Sequence, residues 1–313
     1  MVNSVLQKVA TKDLGVTLMH EHIASMNPSM TQAFPNWFNR QETIANAVKE
    51  LEYAKQFGLK TIVDATPINL GRDVRLLREV AQKSGVNIIA STGFYHVDEP
   101  FLINWETDYL VDILLPEIET GIQGTDVKPG VIKCASENEI TKTNEKLLRV
   151  AARLHKQSKL PVITHSSSVN KNGLAQQEIL LDEGVEVSKL VIGHCGDTTD
   201  VGYIESVLEN GSYIGLDRFG LDMILPMDSR VAVCAELIEK GYEKKIVISH
   251  DYNVFIDWFP PKIFPSLKKN GAPRWSFHHI FVDVIPRLLE RGVSQKNIDT
   301  MTIENPMKIL GNR

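Results

Sequence analysis

Short apolar, β-branched runs alternate along the chain with longer amphipathic stretches. The runs are Val16–Met19, Thr61–Asp64, Asn87–Ala90, Gly130–Lys133, Pro161–Thr164, Leu190–Gly193, Ser212–Leu216 and Lys245–Ser249, and each predicts a strand. The stretches between them predict helices. In Asn144–Lys156, Leu147, Val150, Ala151 and Leu154 recur every three or four residues with charges opposite. Gly58, Gly85, Gly184, Gly211 and Gly241 each stand between a helical stretch and the next strand, where a helix C-cap falls. Strands that alternate with helices imply parallel pairing, because each crossover must carry the chain back along the sheet. Eight such units predict an α/β fold of the closed (β/α)8 TIM-barrel kind, one domain over residues 1–313. The rival is an open doubly wound sheet, which announces itself with a Gly-rich phosphate turn; no G-x-G-x-x-G or P-loop occurs. A barrel places its chemistry at the C-terminal ends of its strands.

Those ends are where the histidines fall. Of nine histidines, His20 and His22 close the first run, His165 the fifth and His194 the sixth. His20 and His22 are two residues apart on an extended segment and so share a side. The last run ends in Ile-Ser-His-Asp251 and the fourth contains Val-Ile-Lys133. One such histidine alone reads as a satisfied core residue. Four, with a lysine and an aspartate, do not, because buried ionisable groups are costly unless paired or coordinated. Imidazole nitrogen and carboxylate oxygen suit two divalent ions, zinc first, with cobalt, manganese or iron as alternatives. The expected ligands are His20, His22, Lys133, His165, His194 and Asp251. Beside metal cations a free ammonium would be repelled and desolvated, and both effects favour the neutral amine. A neutral amine adds CO2 to become N6-carboxylysine, whose oxygens can bridge two metals. The rival reading of Lys133 is a Schiff-base or salt-bridge lysine, as in barrel aldolases, which have no need of four inward histidines. Among the other histidines, His250 neighbours Asp251 and points away to pack. His155 lies on the charged side of its helix and is expected at the surface, His278 and His279 begin the last large helix, and His96 sits in the loop after the third strand.

Composition narrows the partners. The net charge is -5 and no basic stripe with interleaved aromatics occurs, which excludes nucleic acid. No run approaches the roughly 18 apolar residues of a membrane span. Cys134, Cys195 and Cys234 form no C-x-x-C pair, and Met1–Asp13 has no signal-length apolar run. A reducing, cytoplasmic location is expected.

The combined set resembles the metal-site residues of the phosphotriesterase family in the amidohydrolase superfamily. The spacings agree, with Lys133 to His165 at 32 and His165 to His194 at 29. Thr17–His22, Gly193–Asp197, Ile214–Gly220, Ser249–Tyr252, Ile256–Trp258 and Ala272–Trp275 resemble the phosphotriesterase-like lactonases in particular. The resemblance covers nearly the whole chain. It implies a binuclear centre bridged by the carboxylated lysine and a hydroxide, with Tyr95 and Arg218 near the metals and Trp258 bordering the substrate pocket. It further implies that Asp251 shuttles a proton to the leaving alcohol and that Tyr95 helps hold the oxyanion. Arg218 would either orient substrate polar groups or serve as an ion-pair partner, and Asp197 would stand behind the ligands. The activity expected is hydrolysis of lactones, N-acyl homoserine lactones first, and so quorum quenching, with promiscuous hydrolysis of organophosphate triesters. Phosphotriester hydrolysis as the main activity, another amidohydrolase-type esterase or amidase, and a non-catalytic metal-binding barrel are the alternatives. The substrate is then a small lactone or ester, and the protein a homodimer. The apolar segment Val254–Leu267, with Phe255, Ile256, Trp258, Phe259, Ile263 and Phe264, is expected to cross the barrel mouth as a loop and line an acyl groove.

Overall fold

Strands buried on both faces read as continuous apolar runs, and all eight runs are strands. The computed structural model describes residues 1–311. Asn312 and Arg313, the end of the expected domain, lie outside the described residues. The strands are β1 (Val16–Ser25), β2 (Leu59–Asp64), β3 (Asn87–Gly93), β4 (Val131–Ala135), β5 (Val162–His165), β6 (Leu190–Ile192), β7 (Tyr213–Leu216), β8 (Ile246–Ile248) and a ninth segment, β9 (Asn253–Ile256). They pair in parallel in sequence order, and β9 pairs with β1, so Asn253 stands beside His22. Since β8 and β9 are two halves of one broken strand, this pairing closes the sheet into the expected barrel. The break is at Asp251, which has a left-handed backbone (φ 54°). Buried Glu21 spans it, accepting hydrogen bonds from Ser249 Oγ, His250 N and Tyr252 N at 2.8–3.0 Å.

A layer of side chains fills the barrel interior below the mouth. Met19, Val63, Ile89, Val131, Ile163, Val191, Tyr213 and Val247 meet there, one from each of β1 to β8. Val2 and Val9 of a short N-terminal hairpin and Ile309 and Leu310 at the other end plug the base. Two residues further along their strands, on the same face by the two-residue period, stand Lys133 after Val131 and His165 after Ile163. On β1 the register shifts between Leu18 and Glu21. Such a bulge re-aims a side chain, and here it brings His20 to the face that Met19 already occupies.

The helices pack outside. Asn144–Lys156 is the core of a longer helix, α1 (Lys142–Ser158), opened by a capping box between Thr141 and Asn144. The five predicted cap glycines all adopt left-handed backbone, φ 68–101°. One expectation is corrected. His155 is buried rather than at the surface. Its Nδ1 lies 2.7 Å from the Leu160 carbonyl and its Nε2 accepts from Glu186 N, so the ring ties the end of α1 to the next two loops.

Gly93 tests the close packing beneath the site. It has φ 105°, and a Cβ there would drive into the backbone carbonyl oxygen of Lys133 on the neighbouring strand. Gly93→Ala is therefore expected to cost roughly 1–3 kcal/mol or more of stability, read as a lowered Tm. An unchanged Tm would contradict the tight β3–β4 approach.

Candidate metal centre

The six expected ligands converge at the C-terminal mouth of the barrel, all buried. Lys133 Nζ lies 2.6 Å from His20 Nε2. Asp251 Oδ1 lies 3.0 Å from His22 Nε2 and 3.6 Å from His20 Nε2, and its Oδ2 is 3.8 Å from His194 Nε2. His194 Nε2 is 2.9 Å from His165 Nδ1. Four imidazoles, a carboxylate and an amine thus lie together at the mouth.

The outer ring nitrogen of each histidine has its own oxygen partner. Asp217 takes two of them, with Oδ2 at 2.8 Å from His20 Nδ1 and Oδ1 at 2.9 Å from His194 Nδ1. It also accepts from the His194 backbone N–H at 2.8 Å. His22 Nδ1 is 2.8 Å from Thr66 Oγ1. His165 differs: its outer nitrogen is Nε2, at 2.5 Å from Glu137 Oε2. Asp217 and Glu137 escaped the sequence reading. Asp217 is hidden beside Arg218 in an apolar run, and Glu137 sits in a loop four residues past Lys133. The signal for Asp217 was its place two residues beyond Gly215 on the inward face of β7.

Charge follows burial. Burial lowers the pKa of His20, takes that of His165 to about 3 and puts that of His194 far below the ordinary value, so these rings are neutral and offer a lone pair. Burial also drops Lys133 to about 8. Burial alone would raise Asp251, but the Arg218 guanidinium above all holds it well below the usual carboxylate range. The bond from His165 holds Glu137 down at about 2, against the upward pull of its partial burial.

Arg218 donates from Nε to Asp251 and from Nη1 to Asp197, each at 2.8 Å. It is an ion-pair partner as well as a wall of the pocket. Asp197 is held from its other side by Arg230 at 2.7 Å; its carboxylate is linked to the centre through Arg218, and its backbone N–H donates to the His194 carbonyl at 3.3 Å. Tyr95 places its hydroxyl 3.5 Å from His165 Nδ1, and burial raises its pKa so that it stays a donor. Trp258 lies 5.8 Å ring to ring from Tyr95 and is half exposed. His250 is outside the cluster, packed between Glu21 Oε1 and the Ile280 N–H. His96 is nearer than its loop position suggested, its Nε2 3.6 Å from Glu137.

Above the centre opens a cavity of about 200 Å³ whose walls include Tyr95, Arg218, Ile256, Trp258, Phe259, Phe264 and Leu267. The expected mouth-crossing loop is thus partly regular structure, since β9 and the helix α2 (Phe264–Gly271) lie within it or overlap its end. Two of its apolar residues do not line the cavity. Phe255 packs on Phe38, with ring centroids 4.9 Å apart, and Ile263 is exposed.

The residues fit a pair of divalent ions. The donors are nitrogen and oxygen, buried His20, His165 and His194 are neutral, and the outer nitrogens face oxygen partners, as in metal sites generally. Among the described residues, ligand-capable atoms cluster at His20, His22 and Asp251 facing inward, at His20, His194 and Asp217 behind the rings, and at His96, Glu137 and His165 near the mouth.

Comparison with known proteins points the same way. A family model described as the phosphotriesterase family matches residues 1–310. The chain is 46% identical to an aryldialkylphosphatase from Saccharolobus solfataricus over 96% of each chain. It is 39% identical to a phosphotriesterase homology protein from Mycobacterium tuberculosis, over 98% of this chain and 97% of that one. A solved structure, that of the phosphotriesterase from Mycobacterium tuberculosis, matches with a TM-score of 0.92 at 38% identity, over 99% of this chain and 98% of that one.

Proposed function

Because the chain belongs to the phosphotriesterase family of hydrolases, we propose that it is a metal-dependent lactonase acting on N-acyl homoserine lactones, with phosphotriester hydrolysis as a side activity. The observation that carries this reading is the cavity. It is walled mainly by apolar and aromatic side chains and opens directly on five of the six convergent polar groups, His20, His22, Lys133, His165 and Asp251. That shape suits a substrate with one polar ring and an apolar tail. A second reading, phosphotriester hydrolysis as the main activity, is favoured by the 46% identity to an aryldialkylphosphatase.

His20, His22 and Asp251 on one side, and His165 and His194 on the other, would hold two divalent ions with a carboxylated Lys133 between them. Bound there, the ions supply Lewis acidity and an acidified water. The chain's own residues do the rest. Asp251 is ionised and faces the cavity mouth, so it accepts a proton from the attacking water and returns it to the leaving alcohol. Arg218 keeps Asp251 ionised and fixes its orientation from Oδ2. Tyr95, always protonated, is placed to donate a hydrogen bond to the oxygen that gains charge. Trp258, Ile256, Phe259 and Phe264 exclude water around the tail. The same reading takes residues 1–313 as one catalytic unit. It also takes the protein as a homodimer, to which exposed Phe34, Trp37, Ile103, Trp105 and Tyr109 offer apolar surface.

The test is kcat/KM for homoserine lactones of increasing acyl length, simple γ- and δ-lactones and paraoxon, on metal-analysed protein. Rates should climb with chain length until the cavity is full, each buried CH2 contributing on the order of 0.8 kcal/mol. Trp258→Ala should flatten that slope and leave metal content alone. A higher kcat/KM for paraoxon than for every lactone would establish the second reading instead.

A further inference from the structure

Three of the four clustered histidines are held from behind by oxygens sealed in the barrel. Asp217 and Thr66 are each about 1% exposed. The fourth, His165, is held by Glu137, whose side chain is 47% exposed on a loop at the mouth. His165 is also the ring that turns its Nδ1, not its Nε2, toward the others. A histidine ring has two nitrogens that exchange roles when it flips, and the partner of the outer one decides which faces inward. We propose that Glu137 is the positioning residue that fixes His165 in its Nδ1-inward orientation and its Nε2–H tautomer. It thereby sets the affinity of the half of the centre that His165 and His194 share. The inference rests on the metal-centre reading above.

The loop that carries Glu137 is built to hold a carboxylate still despite its exposure. The Asn172 side chain donates from Nδ2 to the backbone oxygens of Ser136, Glu137 and Asn138 at 3.4, 3.2 and 2.8 Å. Its Oδ1 accepts from Ser167 N at 2.7 Å, which anchors it in turn. Gln176 Nε2 lies 2.6 Å from Ser136 Oγ and 2.7 Å from the carbonyl of His165 itself. The backbones of Glu137 and His165 are therefore referenced to the same helix, Asn172–Asp182. His96, whose ring centroid is 5.6 Å from that of His165, brings its Nε2 to 3.6 Å from the same carboxylate oxygen that His165 meets.

Carboxylates that orient a ligating histidine typically change metal affinity 10–100-fold when removed. The experiment is stepwise chelator competition on zinc-loaded wild type, Glu137→Gln and Glu137→Ala, with 15N chemical shifts of the histidine side chains read on the same samples. Wild type should bind two ions and show one histidine coordinated through Nδ1 with Nε2 protonated. Glu137→Ala should weaken one of the two ions by roughly 10–100-fold and mix the His165 ring states. Glu137→Gln keeps an acceptor oxygen and should hold the ring state while losing less affinity. Equal affinities for both ions in wild type and Glu137→Ala, or an unchanged His165 ring state in Glu137→Ala, would overturn the proposal. Wild type that binds fewer than two ions would instead overturn the metal-centre reading itself.

Discussion

Replacing Lys133 with alanine is expected to strip the protein of metal and lower kcat/KM by roughly 100-fold or more, with part of both restored by added acetate or propionate. Lys133 is among the largest fully buried side chains, 1% exposed, with its amine 2.6 Å from His20 Nε2. An ammonium cannot donate to all its neighbours there and also tolerate divalent cations. Burial has already moved its pKa to about 8, so on the order of a tenth of it is neutral amine at pH 7. In the proposed carboxylation that amine would attack CO2, forming a C–N bond and losing one proton to leave an anionic carbamate. The shortened side chain of Lys133→Ala leaves a space that a small carboxylate can fill, so acetate should rescue and chloride should not. Metal content by mass spectrometry and activity with and without acetate decide it. A Lys133→Ala protein with wild-type metal and rate would refute the bridging role.

The second large effect is expected at Asp217, and asparagine is the sharper probe than alanine. Asp217 accepts three hydrogen bonds, two of them from the outer nitrogens of His20 and His194. Charge-assisted bonds of this kind are worth roughly 1.5–3 kcal/mol each. Asparagine fills the same volume but replaces one acceptor oxygen with an NH2. The ring facing that NH2 must then accept through its outer nitrogen, and its proton moves to the inner one, the nitrogen needed as a ligand. Asp217→Asn should therefore lose metal affinity by roughly 100-fold while its metal-free form stays folded. Asp217→Ala should also lower the Tm of the metal-free form. The checks are a zinc titration against a chelator and thermal unfolding of metal-free samples. Wild-type affinity in the asparagine variant would mean that the tautomers are set elsewhere.

What could be read in advance follows from how each residue gets its role. Strands buried on both faces leave long apolar runs, and a run that ends abruptly in His or Lys is visible without coordinates. That is why β4, β5 and β6 and their terminal residues were legible. Asp217 was not, because its meaning lies in two histidines that come from β1 and from the end of β6, far away in sequence. Glu137 has the same difficulty, with the addition that its loop carries no pattern at all. His155 misled because helical periodicity reports one helix's faces. It cannot register a loop that folds back over the polar face, as the segments around Leu160 and Glu186 do. The segment after Asp251 was read as loop because the left-handed residue breaks the strand just where β9 should have continued β8. The aromatic residues beyond it were correctly assigned to a pocket only in part, since alternation along β9 turns Ile256 one way and Phe255 the other.

The seam that closes the barrel also dictates when the protein can become itself during synthesis. His22 N–H bonds the carbonyl of Tyr252, and Glu21 reaches the backbone of His250, residues 229 apart in the chain. Contacts of that separation form late, because the loop between them must be ordered first. A nascent chain leaving the ribosome with seven strands made has an unpaired edge along β1, the kind of edge that invites association with other chains. It also lacks Asp251, which lies at the break between β8 and β9. The centre is thus assembled by the final stroke of folding. Its completion and the disappearance of the exposed edge are one event, which makes an incompletely translated chain both inert and prone to aggregate.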